Sequence, residues 1–183
     1  MSFRSNALLA AAAVAATVVL VTLVAPPAIG TPAAVQSVAA PDFQAITSWQ
    51  NSPPLTMQGL RGKVVLVDFW TYTCSNCLNQ LPYVKAWHAK YQDQGLVVVG
   101  VHTPEYAFEK STPNVQKAIR DLQITHAVAQ DNDYATWRAY GNQFWPALYL
   151  IDKQGRIVYT HFGEGRYGET EDRIKALLAE PAS

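Results

Sequence analysis

The sequence contains two cysteines, Cys74 and Cys77, separated by two residues. This spacing allows the two thiols to meet on one turn of a helix and form a reversible disulfide. A purely structural bridge is the weaker interpretation, because closing so short a loop removes only roughly 2 kcal/mol of unfolded-state free energy. The pair is therefore interpreted as a redox couple.

Zinc binding uses the same cysteine spacing, but a tetrahedral zinc site needs two further ligands. The sequence has no second cysteine pair, and its histidines are not spaced as zinc ligands; they are His88, His102, His126 and His161. We interpret them as ordinary surface or partly buried residues. The sequence therefore predicts no metal site and no bound cofactor.

The segment before the cysteines reads VVLVDFW over residues 64–70 and is apolar on both faces apart from Asp68. Such a run predicts a central strand covered by helices. After it, apolar residues recur at spacings of three and four from Cys77 up to Gly95, which predicts an amphipathic helix. Cys74 then lies at the helix N-terminus, where free N–H groups stabilise a thiolate, and Cys77 lies on the inward face. Cys74 is the predicted nucleophile and Cys77 the resolving thiol.

The remaining patterns predict a mixed sheet. Strands are expected at 96–101, 127–129, 147–151 and 157–162, and helices at 112–122, at 134–140 and from about Glu169 onward. The strand, helix, strand order implies parallel pairing first, and the turn-rich residues 152–155 imply an antiparallel hairpin last. The fold class is therefore α/β, with a central mixed β-sheet flanked by helices on both faces.

The N-terminal residues 1–24 differ in kind from the rest. Arg4 is their one charged residue, and residues 7–24 contain no charge, glycine or proline. This pattern predicts a signal peptide or an N-terminal membrane anchor. As a helix the segment would be about 27 Å long, against about 30 Å for a bilayer core, which favours an anchor over cleavage after Gly30. A buried core helix is the remaining alternative.

Arg4 precedes the apolar segment, so the positive-inside rule places everything after it outside the cytoplasm. Residues 25–41 are rich in Ala and Pro and predict an extended linker, which leaves residues 42–183 as the folded domain. Lys and Arg number 14, as do Asp and Glu, so the excess of positive charge expected of a nucleic-acid-binding protein is missing.

Several ordered blocks carry a resemblance beyond the cysteine pair. They are LRGKVVLVDFWTYTCSNC at 60–77, LPYVKAWHAKY at 81–91, GLVVVGVHTPE at 95–105, DNDYATWRAYGNQFWPALYLID at 131–152 and HFGEG at 161–165. Together they resemble the thioredoxin-like redoxins, and among these the exported TlpA-like reductases and the soluble domain of DipZ. The resemblance covers residues 42–183 and implies a thioredoxin-like fold with thiol-disulfide oxidoreductase activity.

The resemblance also implies roles for four residues around the cysteines. Asp68 matches the buried acid that helps deprotonate the second cysteine, and a carboxylate in an apolar strand is costly without such a purpose. Pro146, preceded by Trp145, matches the cis-proline beside which substrate backbone pairs, and Trp70 matches a tryptophan near the disulfide. The alternatives are a hydrogen-bonded strand acid, a trans proline that begins a strand, and a core-filling tryptophan.

The predicted reaction is reduction of disulfides in substrate proteins, with attack by Cys74 and resolution by Cys77. The resemblance implies that a membrane electron donor of the CcdA/DsbD type then restores the dithiol, in the periplasm or at the outer face of the membrane. Ser75 and Asn76 depart from the Gly-Pro of reducing thioredoxins. A disulfide oxidase or isomerase that uses the same cysteines is therefore an alternative.

Two further alternatives belong to other classes. Thr71 and Cys74 match the TxxC part of a peroxiredoxin site, with Arg138 as its candidate arginine, but Val67 stands where that site expects proline. A copper chaperone on the same fold would need CxxxC and a ligand histidine, so the cysteine spacing is wrong by one residue.

Overall fold

The computed structural model describes Met1 and residues 38–181, and the statements below concern this part of the chain. Its strands are β1 (Val38–Ala39), β2 (Ser48–Gln50), β3 (Val64–Trp70), β4 (Leu96–His102), β5 (Ala127–Gln130), β6 (Ala147–Ile151) and β7 (Arg156–Phe162). Its helices are α1 (Ser75–Tyr91), α2 (Thr112–Asp121), α3 (Ala135–Ala139) and α4 (Tyr167–Ala179). Two 3-10 turns, Gln92–Gln94 and Ala107–Lys110, complete the elements.

The strands form one mixed sheet in the order β1-β7-β6-β3-β4-β5-β2. β3 pairs with β4, and β4 with β5, in parallel, whereas the other neighbours are antiparallel. The central strand β3 is thus parallel to one neighbour and antiparallel to the other. The predicted mixed α/β sheet is confirmed.

Helices cover both faces of β3 because its side chains alternate between two apolar layers. Val64 and Leu66 pack in one layer with residues of α1 and α4, such as Val84 and Ile174. Val65, Val67 and Phe69 pack in the other, where α3 supplies Trp137. Every residue of β3 is buried, as the double-sided apolar pattern of VVLVDFW predicts.

The sheet contains two strands that the sequence patterns did not indicate. β1 is two residues long and pairs with β7, and β2 is three residues long and pairs with β5. Neither is long enough to show a periodic pattern. Because Val38 and Ala39 pair with Ile157 and Arg156, the sheet begins a few residues before Asp42, within the segment interpreted as linker.

No helix among residues 38–181 is long and apolar enough to cross a bilayer. The predicted signal or anchor at residues 7–24, the alternative cleavage site at Gly30 and most of the linker lie outside the described residues.

Candidate redox site

Cys74 and Cys77 form a disulfide at the N-terminus of α1, with their Cα atoms 5.2 Å apart. Cys74 is the N-cap residue, and its sulfur accepts the backbone N–H of Cys77 at 3.2 Å. No acidic residue lies in the first turn of α1. The free N–H groups of this turn therefore face the Cys74 sulfur without a competing carboxylate in the same turn, an environment that stabilises a thiolate.

The two sulfurs differ in their access to solvent. Cys74 is partly exposed, whereas Cys77 is 4% exposed and belongs to a buried cluster with Trp70 and Leu81. Burial in an apolar layer favours a neutral thiol over a thiolate. The geometry therefore makes Cys74 the accessible thiol of the pair, as the sequence predicts.

Asp68 is a buried carboxyl group on β3, at 3% exposure, and it accepts a hydrogen bond from Gln80 of α1 at 3.1 Å. Burial raises the pKa of Asp68 to about 7, and the Gln80 hydrogen bond opposes part of that rise. A carboxyl group with such a pKa exchanges a proton readily near neutral pH.

Gln80 is a further polar residue of the site that was not among the predicted site residues, although the sequence contains a signal for it. Gln80 follows Cys77 by three residues on the inward face of α1, where a polar side chain requires a partner. Its Nε2 has that partner in Asp68, while its Oε1 is buried without one.

Trp70 and Trp145 lie near the cysteines. Trp70 and Cys77 share one buried cluster, and Cys74 and Trp145 pack against it. Trp145 donates its indole N–H to the carbonyl oxygen of Thr103 at 3.0 Å. The peptide bond between Trp145 and Pro146 is cis.

A second buried carboxylate, Glu109, lies in the 3-10 turn Ala107–Lys110 and was also missed. It accepts hydrogen bonds from Thr73 Oγ1 at 2.5 Å and from the backbone N–H groups of Glu105 and Tyr106 at 2.7 and 3.0 Å. Burial works toward a higher pKa for Glu109, but these hydrogen bonds and the hydroxyl group of Thr71 hold the pKa below its usual value. Glu109 is therefore ionised at neutral pH.

His102 at the end of β4 is fully buried, contrary to the expectation of a surface or partly buried histidine. Its Nε2 lies 3.2 Å from Thr71 Oγ1, and its ring stacks on Tyr72 with centroids 5.5 Å apart. Burial lowers the pKa of His102 to about 4, so the ring is neutral at pH 7. His126 is buried as well, and burial likewise lowers its pKa, to about 3. His102 is the last residue of β4 and His126 directly precedes β5, and the spacing of histidines in the sequence does not reveal that both positions are covered.

No group of three or more His, Cys, Asp or Glu side chains that could hold a metal ion occurs within residues 38–181.

The sheet topology and a CxxC disulfide at a helix N-terminus define a thioredoxin-like thiol-disulfide oxidoreductase. The Redoxin family profile matches residues 35–178 of this sequence. The chain therefore belongs to the redoxin family.

The chain is similar to known proteins, one of which is named a thiol-disulfide oxidoreductase. It is 51% identical over 142 residues to Protein DipZ of Mycobacterium tuberculosis, covering 76% of this chain and 20% of DipZ. It is 30% identical over 140 residues to the thiol-disulfide oxidoreductase YkuV of Bacillus subtilis, covering 76% of this chain and 94% of YkuV. The chain thus spans about a fifth of the length of DipZ.

Among solved structures, the chain is similar to one assigned as a thiol:disulfide interchange protein DsbE from Chlorobium tepidum. The TM-score is 0.69 with 28% identity, over 78% of this chain and 97% of that one. The predicted thioredoxin-like fold is confirmed.

Proposed function

We propose that this oxidoreductase works as an exported reductase of protein disulfides. The observation that carries the proposal is the Cys74–Cys77 disulfide. Cys74, at the N-terminus of α1, is accessible to solvent, whereas Cys77 is buried. The accessible sulfur suits attack on a large substrate, and the buried one suits an intramolecular second step.

In the reductive direction the Cys74 thiolate attacks one sulfur of a substrate disulfide. A mixed disulfide forms and the first substrate thiolate leaves. Cys77 then gives up its proton and attacks Cys74 Sγ, which releases the second substrate thiolate. The substrate gains two electrons, and the protein ends in the disulfide form that the structure holds. A membrane dithiol donor of the CcdA/DsbD type would reduce it again.

Asp68 is proposed as the acceptor of the Cys77 proton. Its pKa of about 7 lies near the pH at which the reaction must run, so the carboxyl group can take a proton and return it. Gln80 bonds the carboxyl group of Asp68 from the same helix that carries Cys77, one turn further along. Trp145 and Pro146 are proposed to receive substrate beside the disulfide, with the buried Trp70 as a supporting residue.

Export rests on the N-terminal sequence. The apolar residues 7–24 follow Arg4, and the part of residues 25–41 that precedes β1 would separate them from the domain as a linker. Reductive chemistry outside the cytoplasm requires electrons from across the membrane, which accounts for the proposed membrane donor.

The peroxidase alternative receives no support from Thr71. Its hydroxyl is buried and hydrogen bonded to Nε2 of His102 at 3.2 Å, so it is not free to orient a peroxide at Cys74. The candidate arginine Arg138 is exposed on α3.

The reduction potential of the Cys74–Cys77 couple tests the direction of electron flow. Equilibration with glutathione or dithiothreitol buffers, followed by counting of free thiols, measures it. A potential near that of thioredoxin, about −270 mV, supports the reductase, whereas one near about −120 mV, as in DsbA, would make the protein an oxidant.

A further inference from the structure

Three hydrogen-bond donors converge on the two carboxylate oxygens of Glu109. Two are local, because the N–H groups of Glu105 and Tyr106 belong to the same segment and form a capping arrangement with it. The third is the hydroxyl group of Thr73, which lies 36 positions away in sequence. Glu109 thus joins its own turn to the segment directly before Cys74.

That segment, residues 71–73, is neither helix nor strand, so side-chain contacts must fix its conformation. Besides the Thr73 bond to Glu109, Tyr72 donates its hydroxyl to the carbonyl oxygen of Phe108 at 3.3 Å. The backbone N–H of Cys74 reaches Thr71 O at 3.4 Å. These contacts end on the two residues directly before the nucleophile or on the nucleophile itself.

We propose that Glu109 is a positioning residue for Cys74. Its carboxylate holds Thr73, the residue directly before Cys74, and thereby keeps the Cys74 sulfur over the Cys77 N–H group at the N-terminus of α1. The proposal rests on thiol-disulfide exchange by Cys74, but it does not depend on the direction of electron flow. It differs from the role proposed for Asp68, which concerns the proton of Cys77.

Substitution can separate two properties of Glu109, the charge of its carboxylate and the length of its side chain. Glu109→Asp keeps the charge and shortens the side chain by one methylene, about 1.5 Å. The shorter carboxylate can still bond within its own turn but loses the distant Thr73. Thr73→Val removes the same linking bond from the other side without changing either charge or size.

The experiment measures the rate of iodoacetamide alkylation of reduced Cys74 against pH, with Cys77→Ser present in every variant so that one thiol reacts. The alkylation profile gives the pKa of Cys74. We expect Glu109→Asp and Thr73→Val each to raise this pKa by about 0.7, an effect of the size expected for a lost N-cap interaction. At any pH below the pKa, the fraction of Cys74 present as thiolate then falls about fivefold.

Two matched controls accompany these variants. Glu105→Asp makes the same chemical change at an exposed carboxylate on the same segment, and Thr73→Ser keeps the hydroxyl; both should retain the parent pKa. If Glu109→Asp fails to fold, Thr73→Val decides alone, because that side chain is exposed. An unchanged or lowered pKa of Cys74 in folded Thr73→Val would overturn the proposal. Alkylation needs no substrate protein, so this result is independent of whether the protein is a reductase.

Discussion

Asp68→Asn removes the ionisable carboxyl group that is proposed to accept the Cys77 proton, and replaces it with an amide of nearly the same shape. The introduced amide can still accept the Gln80 Nε2 hydrogen bond. It also brings an N–H donor toward Gln80 Oε1, which is buried without a partner. The substitution therefore changes proton chemistry with little change in packing.

The effect on stability follows from the pKa of Asp68, which burial raises from an ordinary value of 3.8 to about 7. Below pH 3.8 both the folded and unfolded states hold the proton, so the group does not make stability depend on pH. As pH rises further the unfolded chain ionises first, and the folded state loses stability until about pH 7, where it ionises too. The total loss is up to about 4 kcal/mol, at 1.36 kcal/mol for each pKa unit.

Asp68→Asn should accordingly stabilise the oxidised protein near pH 7 by up to about 4 kcal/mol and change its stability little at pH 3. Urea unfolding at a series of pH values measures this difference. In the same variant, loss of the proton acceptor should slow resolution by Cys77 by about 100-fold, so that mixed disulfide accumulates in rapid-quench experiments.

The stability measurement tests the raised pKa of Asp68, and the kinetic measurement tests its role as proton acceptor. Equal stabilisation at pH 3 and pH 7 would show that the carboxyl group is not titrating as its burial requires. Unchanged kinetics of resolution, with initial attack by Cys74 as the internal control, would make Asp68 a structural residue only.

Two further predictions concern packing and export. Gly100→Ala should destabilise the domain by about 1 to 3 kcal/mol in urea unfolding, because the new Cβ would lie 2.9 Å from Nε1 of the buried Trp70. The control is Gly168→Ala, whose new Cβ would meet no atom within 4 Å and which should not destabilise the domain. A reporter enzyme that works only outside the cytoplasm should be active when fused after Asp42, and activity of a cytoplasmic reporter at that position would contradict the export proposal.

The redox pair and the strand before it could be predicted from sequence because their signals are local. Cys74 and Cys77 are three positions apart, and β3 shows its burial in seven consecutive residues. The positions of Asp68 and Trp145–Pro146 came from a family resemblance, and the structure places Asp68 in the buried layer and the proline after a cis bond.

The second carboxylate could not be found in this way, since its partners are distant in sequence. Glu109 bonds Thr73 across 36 positions, and nothing in the HTPEYAFEK segment indicates that this glutamate rather than Glu105 is buried. His102 was misjudged for a related reason. A polar residue at a strand end can face solvent or the core, and here Tyr72 and Trp70 cover its ring.

Trapping of the mixed disulfide tests most directly the claim that Cys74 attacks and Cys77 resolves. The reduced Cys77→Ser and Cys74→Ser variants would each be incubated with a disulfide-bonded protein and, in parallel, with hydrogen peroxide. If Cys74 attacks and Cys77 resolves, Cys77→Ser should form a covalent complex with the substrate and Cys74→Ser should form none. The native protein should consume hydrogen peroxide only slowly. Substrate reduction that survives in Cys74→Ser, or rapid peroxide turnover with negligible disulfide reduction, would contradict these expectations.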